Sequence, residues 1–335
     1  MATDGYIPPF TVSAKAISLI AEISAQLERY AIRLEQADGL RLRKINRIKT
    51  IHSSLAIEGN RLSVNQVRDI IDGKNVVAPI KEIQEVKNAI AAYELYPTLN
   101  PFNVKDLLKA HGVMMNALID NAGRFRNSGV GVFEGGRCVH LAPPAQRVPL
   151  LMDELFDWLK RSKDHLLIRS CVFHYEFEFI HPFADGNGRM GRLWQSLILG
   201  KLNPLFEHLP IENMVYSNQQ KYYDAITESS NKVDCGPFID FILEEILHTL
   251  KNHQGDKFTD VGENVGENVG ENLPYRQQQI ITILAANPSL SAAAIARQLN
   301  VTARTIERDL TQLREQGFLR RVGGAKGGHW EVIEN

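Results

Sequence analysis

A short repeat towards the C-terminal end divides the chain into two parts. The tetrapeptide Val-Gly-Glu-Asn occurs three times in succession over residues 261–272. A four-residue period with a glycine in every unit fits neither the 3.6-residue period of an α-helix nor the two-residue period of a strand. We therefore predict a flexible acidic linker over residues 251–274 and a compact module over residues 275–335. The part before the linker would contain an N-terminal helical region, residues 1–96, and a core domain, residues 97–250.

Composition limits the kind of protein. The 335 residues are 44% hydrophobic and 23% charged, with a formal net charge of −1 at pH 7. This is typical of a globular protein and argues against a surface that binds polyanions along the whole chain. The cysteines, Cys138, Cys171 and Cys235, lie far apart and lack metal-ligand spacing, which indicates free thiols in a reducing compartment.

The sequence also argues against secretion and membrane insertion. The first ten residues contain no basic stretch followed by an apolar one, so they do not resemble a secretory signal. No run approaches the roughly 20 apolar residues that a membrane span needs. Together with the cysteines, these observations predict a cytoplasmic protein that makes no membrane contact.

The N-terminal region carries a helical pattern. Apolar residues recur at every third or fourth position over residues 17–34, and the pattern continues over residues 40–57. Gly59 marks the end of that second helix. Ser63 is placed to cap a further short helix over residues 65–71.

The middle of the chain changes character. Two short apolar stretches, residues 130–133 and 138–140, flank a glycine pair at 135–136 and predict a β-hairpin that ends at the proline pair 143–144. Residues 172–180 are ambiguous. Aromatic residues at 175, 177 and 179 alternate with two glutamates as in a strand. Val172, Tyr175 and Phe179, however, also fit one face of a helix, so periodicity leaves both structures open.

The C-terminal module has its own pattern. A helix follows Pro274, Ser291 is placed to cap a second helix, and residues 300–301 form a turn. Thr302 is placed to cap a third helix, and residues 318–332 contain two strand-like pieces around glycine pairs. A helix-turn-helix followed by a glycine-rich hairpin resembles a winged helix-turn-helix domain.

The densest chemistry lies in residues 181–192, which read His-Pro-Phe-Ala-Asp-Gly-Asn-Gly-Arg-Met-Gly-Arg. The glycines on either side of Asn187 allow backbone N–H groups to surround an anion, and the positive end of a helix starting there would add to the attraction. Asp185 offers a hard oxygen ligand for Mg²⁺, and the two arginines offer forked donors for phosphate oxygens. An imidazole, with an unperturbed pKa of about 6.5, suits His181 to take a proton from an attacking hydroxyl.

A dinucleotide fingerprint is the competing interpretation of this run. Gly186, Gly188 and Gly191 satisfy G-x-G-x-x-G, and Glu207 follows at about the distance of a ribose contact. That fingerprint requires a buried strand before it and βαβ units around it. The run is instead preceded by Phe-Ile, which does not make a small buried strand, and the sequence around it has a helical pattern. We therefore do not favour a dinucleotide-binding fold.

The run resembles the signature of Fic-domain proteins, H-P-F-x-D/E-G-N-G-R-x-x-R, and meets every specified position. The resemblance extends over about residues 51–250 and includes the hairpin, which is similar to the family's target-docking flap. It implies a mainly α fold: a Fic-type helical bundle with a β-hairpin flap, plus a C-terminal winged helix-turn-helix domain. It also implies that residues 172–180 form a helix leading into the loop.

The resemblance further implies an activity. Fic-domain proteins typically transfer AMP from ATP to a side-chain hydroxyl of a protein. The related Doc-type branch has lysine where this chain has Gly188, binds the nucleotide in the reverse orientation and phosphorylates, so the glycine here favours AMP transfer. His181 would then be the base, Asp185 would bind the metal, Arg192 would lie near the γ-phosphate, and Tyr223 would border the adenine. The residues implied in nucleotide binding are Gly186, Asn187, Gly188, Arg189, Met190, Gly191, Arg192, Tyr223 and Asn231, and those of the flap are Cys138, Val139 and His140.

A second motif resembles the family's inhibitory sequence, S/T-x-x-x-E-G/N. Ser54 and Glu58 stand four residues apart, on one helical face, and Gly59 follows. In related proteins this glutamate pairs with the second arginine of the signature, here Arg192, and so occupies the donor that the γ-phosphate needs. In some members the same glutamate supports the removal of AMP. A serine and a glutamate at this spacing are usually only a solvated helix face, but upstream of a complete signature they predict autoinhibition.

The third helix of the C-terminal module has an apolar stripe formed by Ile306, Leu310 and Leu313, which predicts its core-facing side. Residues 275–335 contain eight Lys/Arg against five Asp/Glu, a net charge of +3. A helix with outward arginines beside a basic hairpin predicts binding to duplex DNA, with protein interaction or dimerisation as the alternative. The residues implicated are Arg304, Arg308, Arg320, Arg321 and Lys326.

As a whole, the sequence predicts an autoinhibited protein adenylyltransferase. It would use ATP and Mg²⁺ to modify a Ser, Thr or Tyr hydroxyl of a target protein or of itself. The alternative is a DNA-binding transcriptional regulator whose nucleotide site only senses ATP. The target protein, the DNA site and the oligomeric state, including a homodimer, stay open.

Overall fold

The computed structural model describes residues 5–36, 39–134, 137–252, 275–288, 290–299, 303–315, 317–322 and 329–333. The chain divides into two compact units, Met1–Lys257 and Phe258–Asn335. The linker predicted over residues 251–274 lies outside the described residues except for its first two.

The described part of the first unit is mainly helical, as predicted. Its helices are α1 (Ala14–Gln36), α2 (Gly39–Ile57), α3 (Val64–Ile71), α4 (Ile80–Glu94), α5 (Val104–Met114), α6 (Val148–Arg161), α7 (Leu166–Ile180), α8 (Asn187–Leu202), α9 (Ile211–Ser217), α10 (Gln219–Lys232) and α11 (Gly236–Asn252). Short 3₁₀ helices cover Tyr96–Thr98, Ala145–Arg147 and Pro204–His208, and one hairpin is formed by β1 (Gly131–Glu134) and β2 (Arg137–Leu141).

Local capping fixes the ends of the helices around α3. Gly59 follows α2 with φ +88°, a conformation that glycine adopts without strain. The Ser63 hydroxyl accepts a hydrogen bond from the Gln66 amide at 3.2 Å, and the Gln66 side chain accepts one from the Ser63 amide at 2.9 Å. This reciprocal capping box confirms that Ser63 starts a short helix.

Helix α7 resolves the ambiguity over residues 172–180. The segment is helical, and it packs closely against α8 at the centre of the unit. Nearly all of its side chains are buried, including the acidic Glu176, whose carboxylate accepts a hydrogen bond from the Tyr6 hydroxyl at 3.0 Å. Burial raises the pKa of Glu176 to about 7. A helix that is buried on nearly all sides has almost no polar face, so its sequence carries no clear amphipathic helical period.

The N-terminal helices belong to the same compact unit as the rest of the core. Helix α1 packs against α11, and α2 packs against α9. The core of this unit contains large aromatic side chains, of which Trp194 on α8 is fully buried and donates its indole N–H to the Pro101 carbonyl at 2.9 Å. The same core includes buried side chains of α1, α2 and α11. Residues 1–96 and 97–250 therefore share one hydrophobic core.

The predicted hairpin is present in the backbone. Strands β1 and β2 pair antiparallel, with Val132 opposite His140 and Phe133 opposite Cys138. The register shifts between these two pairs, so Val139 is the extra residue of a bulge. The side chains of Cys138, Val139 and His140 lie outside what the structure describes.

The second unit contains α12 (Tyr275–Ala286), α13 (Ala292–Gln298), α14 (Ala303–Glu315), β3 (Leu319–Val322) and β4 (His329–Val332). Ser291 caps α13 as predicted, because its hydroxyl accepts from the Ala294 amide at 3.2 Å. The predicted cap Thr302 lies outside the described residues. The apolar stripe of α14 faces the core, and β3 pairs antiparallel with β4. Three helices followed by a two-stranded hairpin confirm the winged helix-turn-helix prediction.

The described cysteines, Cys171 and Cys235, are free and buried, and burial raises the pKa of the Cys171 thiol to about 12. Such thiols are inert packing groups rather than nucleophiles. Among the described residues, we find no helix whose length and apolar character would let it cross a membrane.

Candidate active site

The chemical centre is the loop that joins α7 to α8. His181 ends α7 in the left-handed conformation, φ 50° and ψ 62°, while its N–H still donates to the Phe177 carbonyl at 2.9 Å. Gly186, with φ +84°, is the residue before the first turn of α8. A side chain at Gly186 would also collide with the sulfur of Met115. Both the backbone conformation and the lack of space therefore favour glycine at this position. The loop therefore places an imidazole at one end and a helix N-terminus at the other.

Two side chains of the loop hold it together. The Asn187 amide oxygen accepts from the Phe183 N–H, and the Asn187 amide nitrogen donates to the Phe183 carbonyl, both at 2.9 Å. The Phe183 ring is fully buried and anchors the loop in the core. Since the Asn187 side chain is used in this way, it leaves only its backbone N–H for an anion.

His111 on α5 supports the loop from outside, and no pattern in the sequence singles it out. Its Nδ1 accepts from the Gly123 amide at 2.8 Å, so the proton is on Nε2, which donates to the Asp185 carbonyl at 3.0 Å. The ring stacks on Phe183, with centroids 3.6 Å apart. Burial lowers the pKa of His111 to about 4, so the ring stays neutral at physiological pH.

We expect His111→Phe to keep the stacking on Phe183 but to destabilise the protein by about 2–4 kcal/mol, because it leaves two partly buried backbone groups without partners. Urea denaturation would measure this loss. Lys109→Ala, an exposed change on the same helix, should leave the unfolding midpoint unchanged. A wild-type midpoint in His111→Phe would show that His111 does not brace the loop.

Arg126 is the second support that sequence reasoning missed. Its buried guanidinium donates from Nε to the His181 carbonyl at 2.7 Å and from Nη1 to the Ser128 carbonyl at 2.9 Å, and it also contacts the Pro143 carbonyl. Its backbone N–H donates to the Pro182 carbonyl at 2.9 Å. One side chain thus ties the loop to the base of the hairpin. A lone arginine ahead of a predicted hairpin carries no sequence signal for this role.

A carboxylate occupies the space above the first turn of α8. Glu58 Oε1 accepts from Arg192 Nη2 at 2.7 Å. A side chain at Gly188 would collide with the same oxygen and would lie 3.0 Å from Arg192 Nη1. The first-turn N–H groups of a helix have no carbonyl partners within the helix and attract negative charge. The Glu58 carboxylate therefore sits where an anion would bind.

Helix α2 and the residue that follows it supply all the hydrogen bonds described for the Arg192 guanidinium. Besides Glu58, the Ser54 carbonyl accepts from Nη2 at 2.9 Å and the Ser54 hydroxyl accepts from Nε at 3.3 Å. Arg192 is only 3% exposed, whereas the Glu58 side chain is 32% exposed. Burial opposes the positive charge, but the neighbouring Glu58 carboxylate outweighs it and the pKa of Arg192 is raised.

Asp185 and Arg189 form a second charged pair at the loop. The Asp185 side chain is 51% exposed, and its Oδ1 accepts from the Gly186 amide at 2.6 Å and from Arg189 Nη2 at 3.3 Å. Within the described residues, no group of three or more His, Cys, Asp or Glu side chains forms a metal cage. A single exposed carboxylate suits a cation that takes most of its oxygen ligands from a bound phosphate and from water.

The remaining residues of the predicted nucleotide site differ in their exposure, and some of them face the core. Tyr223 on α10 is 42% exposed and lies beside the end of α2, since Gln219 bridges its hydroxyl, at 3.3 Å, and the Ile57 carbonyl, at 3.4 Å. Asn231 is exposed two turns further along α10. Met190 is fully buried and Gly191 packs against α7. These last two residues face the core, so their contribution is to seat α8 rather than to touch a ligand.

The basic residues of the second unit differ in their exposure and in the contacts that they already make. Arg308 on α14 is exposed. Arg320 pairs with Glu331 at 2.7 Å, and the Arg321 guanidinium lies 5.0 Å from the centre of the Trp330 ring. The side chain of Arg304 and all of Lys326 lie outside the described part of the chain.

Comparison with known proteins identifies the family. A sequence model of the Fic/DOC family matches residues 101–199, and a model of an HTH domain matches residues 276–328. The crystal structure of a Fic family protein from Desulfovibrio desulfuricans is 37% identical to this chain, with a TM-score of 0.71, and the match covers 98% of this chain and 99% of that protein. The chain belongs to the Fic family.

Other members of the Fic family match over shorter stretches. Protein adenylyltransferase Fic of Culex quinquefasciatus is 32% identical over 214 residues, which are 61% of this chain and 41% of that protein. Protein adenylyltransferase fic-1 of Caenorhabditis elegans is 29% identical over 219 residues, again 61% and 41%. The chain thus spans about two fifths of the length of these curated relatives. A structure of C. elegans Fic-1, 21% identical with a TM-score of 0.56 over 72% of this chain and 71% of that one, supports the fold alone.

Proposed function

We propose that this Fic-family chain is a protein adenylyltransferase, which transfers AMP from ATP to a Ser, Thr or Tyr hydroxyl of a target protein or of itself, and that Glu58 inhibits it. The observation that carries the proposal is the Glu58 carboxylate, seated on Arg192 above the first turn of α8. A carboxylate in that position supports the proposal that the site binds a negatively charged group. The relatives named adenylyltransferases support the same activity.

The triphosphate of ATP would replace the Glu58 carboxylate. The N–H groups at the start of α8, from Asn187 to Arg189, would surround its oxygens, since Gly188 lets a ligand approach the backbone closely. Arg192 would bind the phosphate that takes the place of Glu58. Arg189 is buried, and its Nε has no hydrogen-bond partner among the described residues, so it retains a donor for a phosphate oxygen.

Asp185 would hold Mg²⁺. Its carboxylate is exposed, and only Oδ1 is hydrogen-bonded to other described residues, which fits an ion that needs one protein oxygen. When bound, the ion would neutralise part of the charge on the phosphate oxygens. We also propose a cytoplasmic location, because the free buried thiols Cys171 and Cys235 agree with a reducing compartment.

His181 would act as the base. Its Nδ1 lies 3.3 Å from the Glu178 carbonyl, and a carbonyl only accepts, so Nδ1 carries the proton and Nε2 is the basic nitrogen. The target hydroxyl oxygen would form a bond to the α-phosphorus while the bond to the β-phosphate oxygen breaks. Pyrophosphate leaves, and the hydroxyl proton goes to Nε2. Because Arg126 fixes the His181 carbonyl and the base of the hairpin together, a target segment docked on β1 and β2 would be held close to this nitrogen.

ATP labelled at a single phosphorus tests the function. We expect label from the α-phosphate, but not from the γ-phosphate, to reach the protein or a target in a lysate, with release of pyrophosphate. Transfer of the γ-label alone would identify a kinase. Nucleotide binding without pyrophosphate release would favour the regulator that only senses ATP.

We propose duplex DNA as a ligand of the second unit. The supporting observation is the exposed Arg308 on the face of α14 opposite Ile306, Leu310 and Leu313. The wing arginines Arg320 and Arg321 already contact Glu331 and Trp330, so α14 rather than β3 would provide the free donors.

The DNA proposal predicts retention of the full chain on duplex DNA that weakens steeply with salt, because basic side chains that bind phosphates release counterions. Arg308→Ala together with Arg304→Ala should reduce both the retention and its salt slope. Arg297→Ala on α13, an exposed arginine one helix away, is the matched control. Unchanged binding in the double variant would favour a protein-interaction or dimerisation role for this unit.

A further inference from the structure

His174 is a fully buried imidazole on α7 that joins two other helices of the site. Its Nδ1 lies 2.7 Å from Gln195 Oε1 on α8, and its Nε2 lies 3.1 Å from the Tyr222 hydroxyl on α10. A carboxamide oxygen only accepts, so Nδ1 carries the proton and donates it, while Nε2 accepts from the tyrosine. Burial lowers the pKa of His174 to about 4, so the ring is neutral and keeps both bonds at physiological pH.

The two helices joined by this ring carry different sides of the proposed nucleotide site. Gln195 lies about one turn after Arg192 on α8, the helix whose first turn would bind the phosphates. Tyr222 is followed on α10 by Tyr223, whose side chain is 42% exposed. One glutamine side chain donates both to the Tyr223 hydroxyl and to a carbonyl at the end of α2, directly before Glu58. Tyr223 therefore offers an aromatic surface beside the anion site, on which a nucleobase can stack.

A second hydrogen bond joins α7 to α10. The Tyr175 hydroxyl lies 3.0 Å from Ser230 Oγ, and Ser230 is about two turns, or about 12 Å, beyond Tyr222 along α10. One attachment would leave α10 free to tilt, whereas two attachments at this separation also fix its direction. The fully buried Phe238 on α11 contacts all three rings that make these bonds, with centroids 5.4, 5.7 and 5.9 Å away, and so limits their movement.

We propose that His174 is a positioning residue for the nucleotide: it sets the distance between the base side of the site on α10 and the phosphate side on α8, and Tyr175 fixes the direction of α10. A polyphosphate without a nucleoside needs only the α8 side, so its binding does not depend on this distance. A nucleotide must reach both sides at once, and its affinity falls when binding itself has to bring them into place. The inference rests on the proposed nucleotide site but not on AMP transfer.

Binding of two ligands, one with a nucleoside and one without, tests the inference. Isothermal titration in the Glu58→Gly background compares a non-hydrolysable ATP analogue with tripolyphosphate. Tyr222→Phe keeps the ring and removes only the hydroxyl that binds His174. We expect it to weaken binding of the ATP analogue by about three- to tenfold, roughly the contribution of one hydrogen bond, and to leave tripolyphosphate binding unchanged. Equal losses for both ligands, or no loss for either, would overturn the inference.

Two further variants separate positioning from a general loss of stability. Gln195→Met removes the other bond of His174 and should cause the same selective loss. Because the two bonds act in series through one ring, the double variant should lose no more affinity than either single variant, and additive losses would contradict the bridge. Tyr6→Phe removes a different tyrosine hydroxyl bonded to α7, the one that Glu176 accepts from, and should change neither affinity.

AMP transfer measured on the same proteins separates this inference from the proposed function. Tyr222→Phe should raise the KM for ATP and leave kcat nearly unchanged, because the bond that it removes supports binding of the base rather than the transfer step. A fall in kcat at unchanged KM would overturn the positioning role. A selective loss of ATP affinity in a protein that transfers no AMP would support the inference and remove the proposed activity. If Glu58→Gly bound neither ligand, the proposed site would fail and the inference with it.

Discussion

Replacing Glu58 with glycine should increase AMP transfer and self-modification by roughly tenfold to a hundredfold. A charge-assisted hydrogen bond is worth about 1.5–3 kcal/mol, and each 1.4 kcal/mol corresponds to a factor of ten. The bond at stake joins Glu58 to Arg192 at 2.7 Å, and the carboxylate also covers the first turn of α8. In the proposed mechanism ATP would have to displace this carboxylate to reach both groups, so its removal would lower the free energy needed for productive binding.

Transfer from ATP labelled at the α-phosphate measures this effect. Glu58→Gln, which keeps the shape but loses the charge, should give an intermediate rate. Glu94→Gln is the matched control, since Glu94 also pairs with an arginine, Arg47 at 3.1 Å, but on the surface. If Glu58→Gly and the wild type transferred AMP at the same rate, Glu58 would not be an inhibitor. If Glu58→Gly also lost the ability to remove AMP from a modified protein, this residue would serve reversal as well.

The parts of the fold that the sequence predicts well are those with short-range causes. The cap at Ser63 and the stop at Gly59 depend on neighbouring residues, and both are found as expected. The hairpin follows from alternation around a glycine pair. Helix α7 could not be assigned from its period, since burial on nearly every side removes the polar face that the period would reveal. There the family resemblance, and not the periodicity, led to the correct structure.

The residues of the candidate site also separate into those that the sequence predicts and those that depend on distant parts of the chain. The residues of the loop are consecutive in the chain, so the sequence alone is enough to recognise their chemistry. His111 and Arg126 hold that loop through its backbone carbonyls, across 74 and 55 residues of sequence. Every residue has a backbone carbonyl, so a side chain that binds one needs no particular residue type in its partner, and the sequence gives no signal for the contact. The Ser54 carbonyl bound by Arg192 was missed for the same reason, although Ser54 itself belonged to the recognised motif.

His181→Ala should reduce AMP transfer by about 10²- to 10⁴-fold, the usual contribution of a general base, while nucleotide binding stays largely intact. The described contacts of His181 explain this separation. The Nδ1 contact goes to the Glu178 carbonyl, and Arg126 holds the backbone carbonyl rather than the ring. The proposed phosphate site at the start of α8 consists of other residues. Single-turnover transfer in the Glu58→Gly background gives enough signal to measure so large a loss, and titration with a non-hydrolysable analogue gives the affinity.

Because His181 has an unusual backbone conformation, a second variant is needed to separate loss of the imidazole from a change in the loop. His181 has φ 50°, a conformation that costs most residues about 1–2 kcal/mol and that asparagine adopts more readily than alanine. His181→Asn should therefore keep the loop in place while removing the basic nitrogen, and it should lose transfer as fully as His181→Ala. If His181→Asn transferred AMP at the parent rate, the imidazole would not be the base. If both variants lost nucleotide binding in parallel with transfer, His181 would act by shaping the loop, and the proton would need another acceptor.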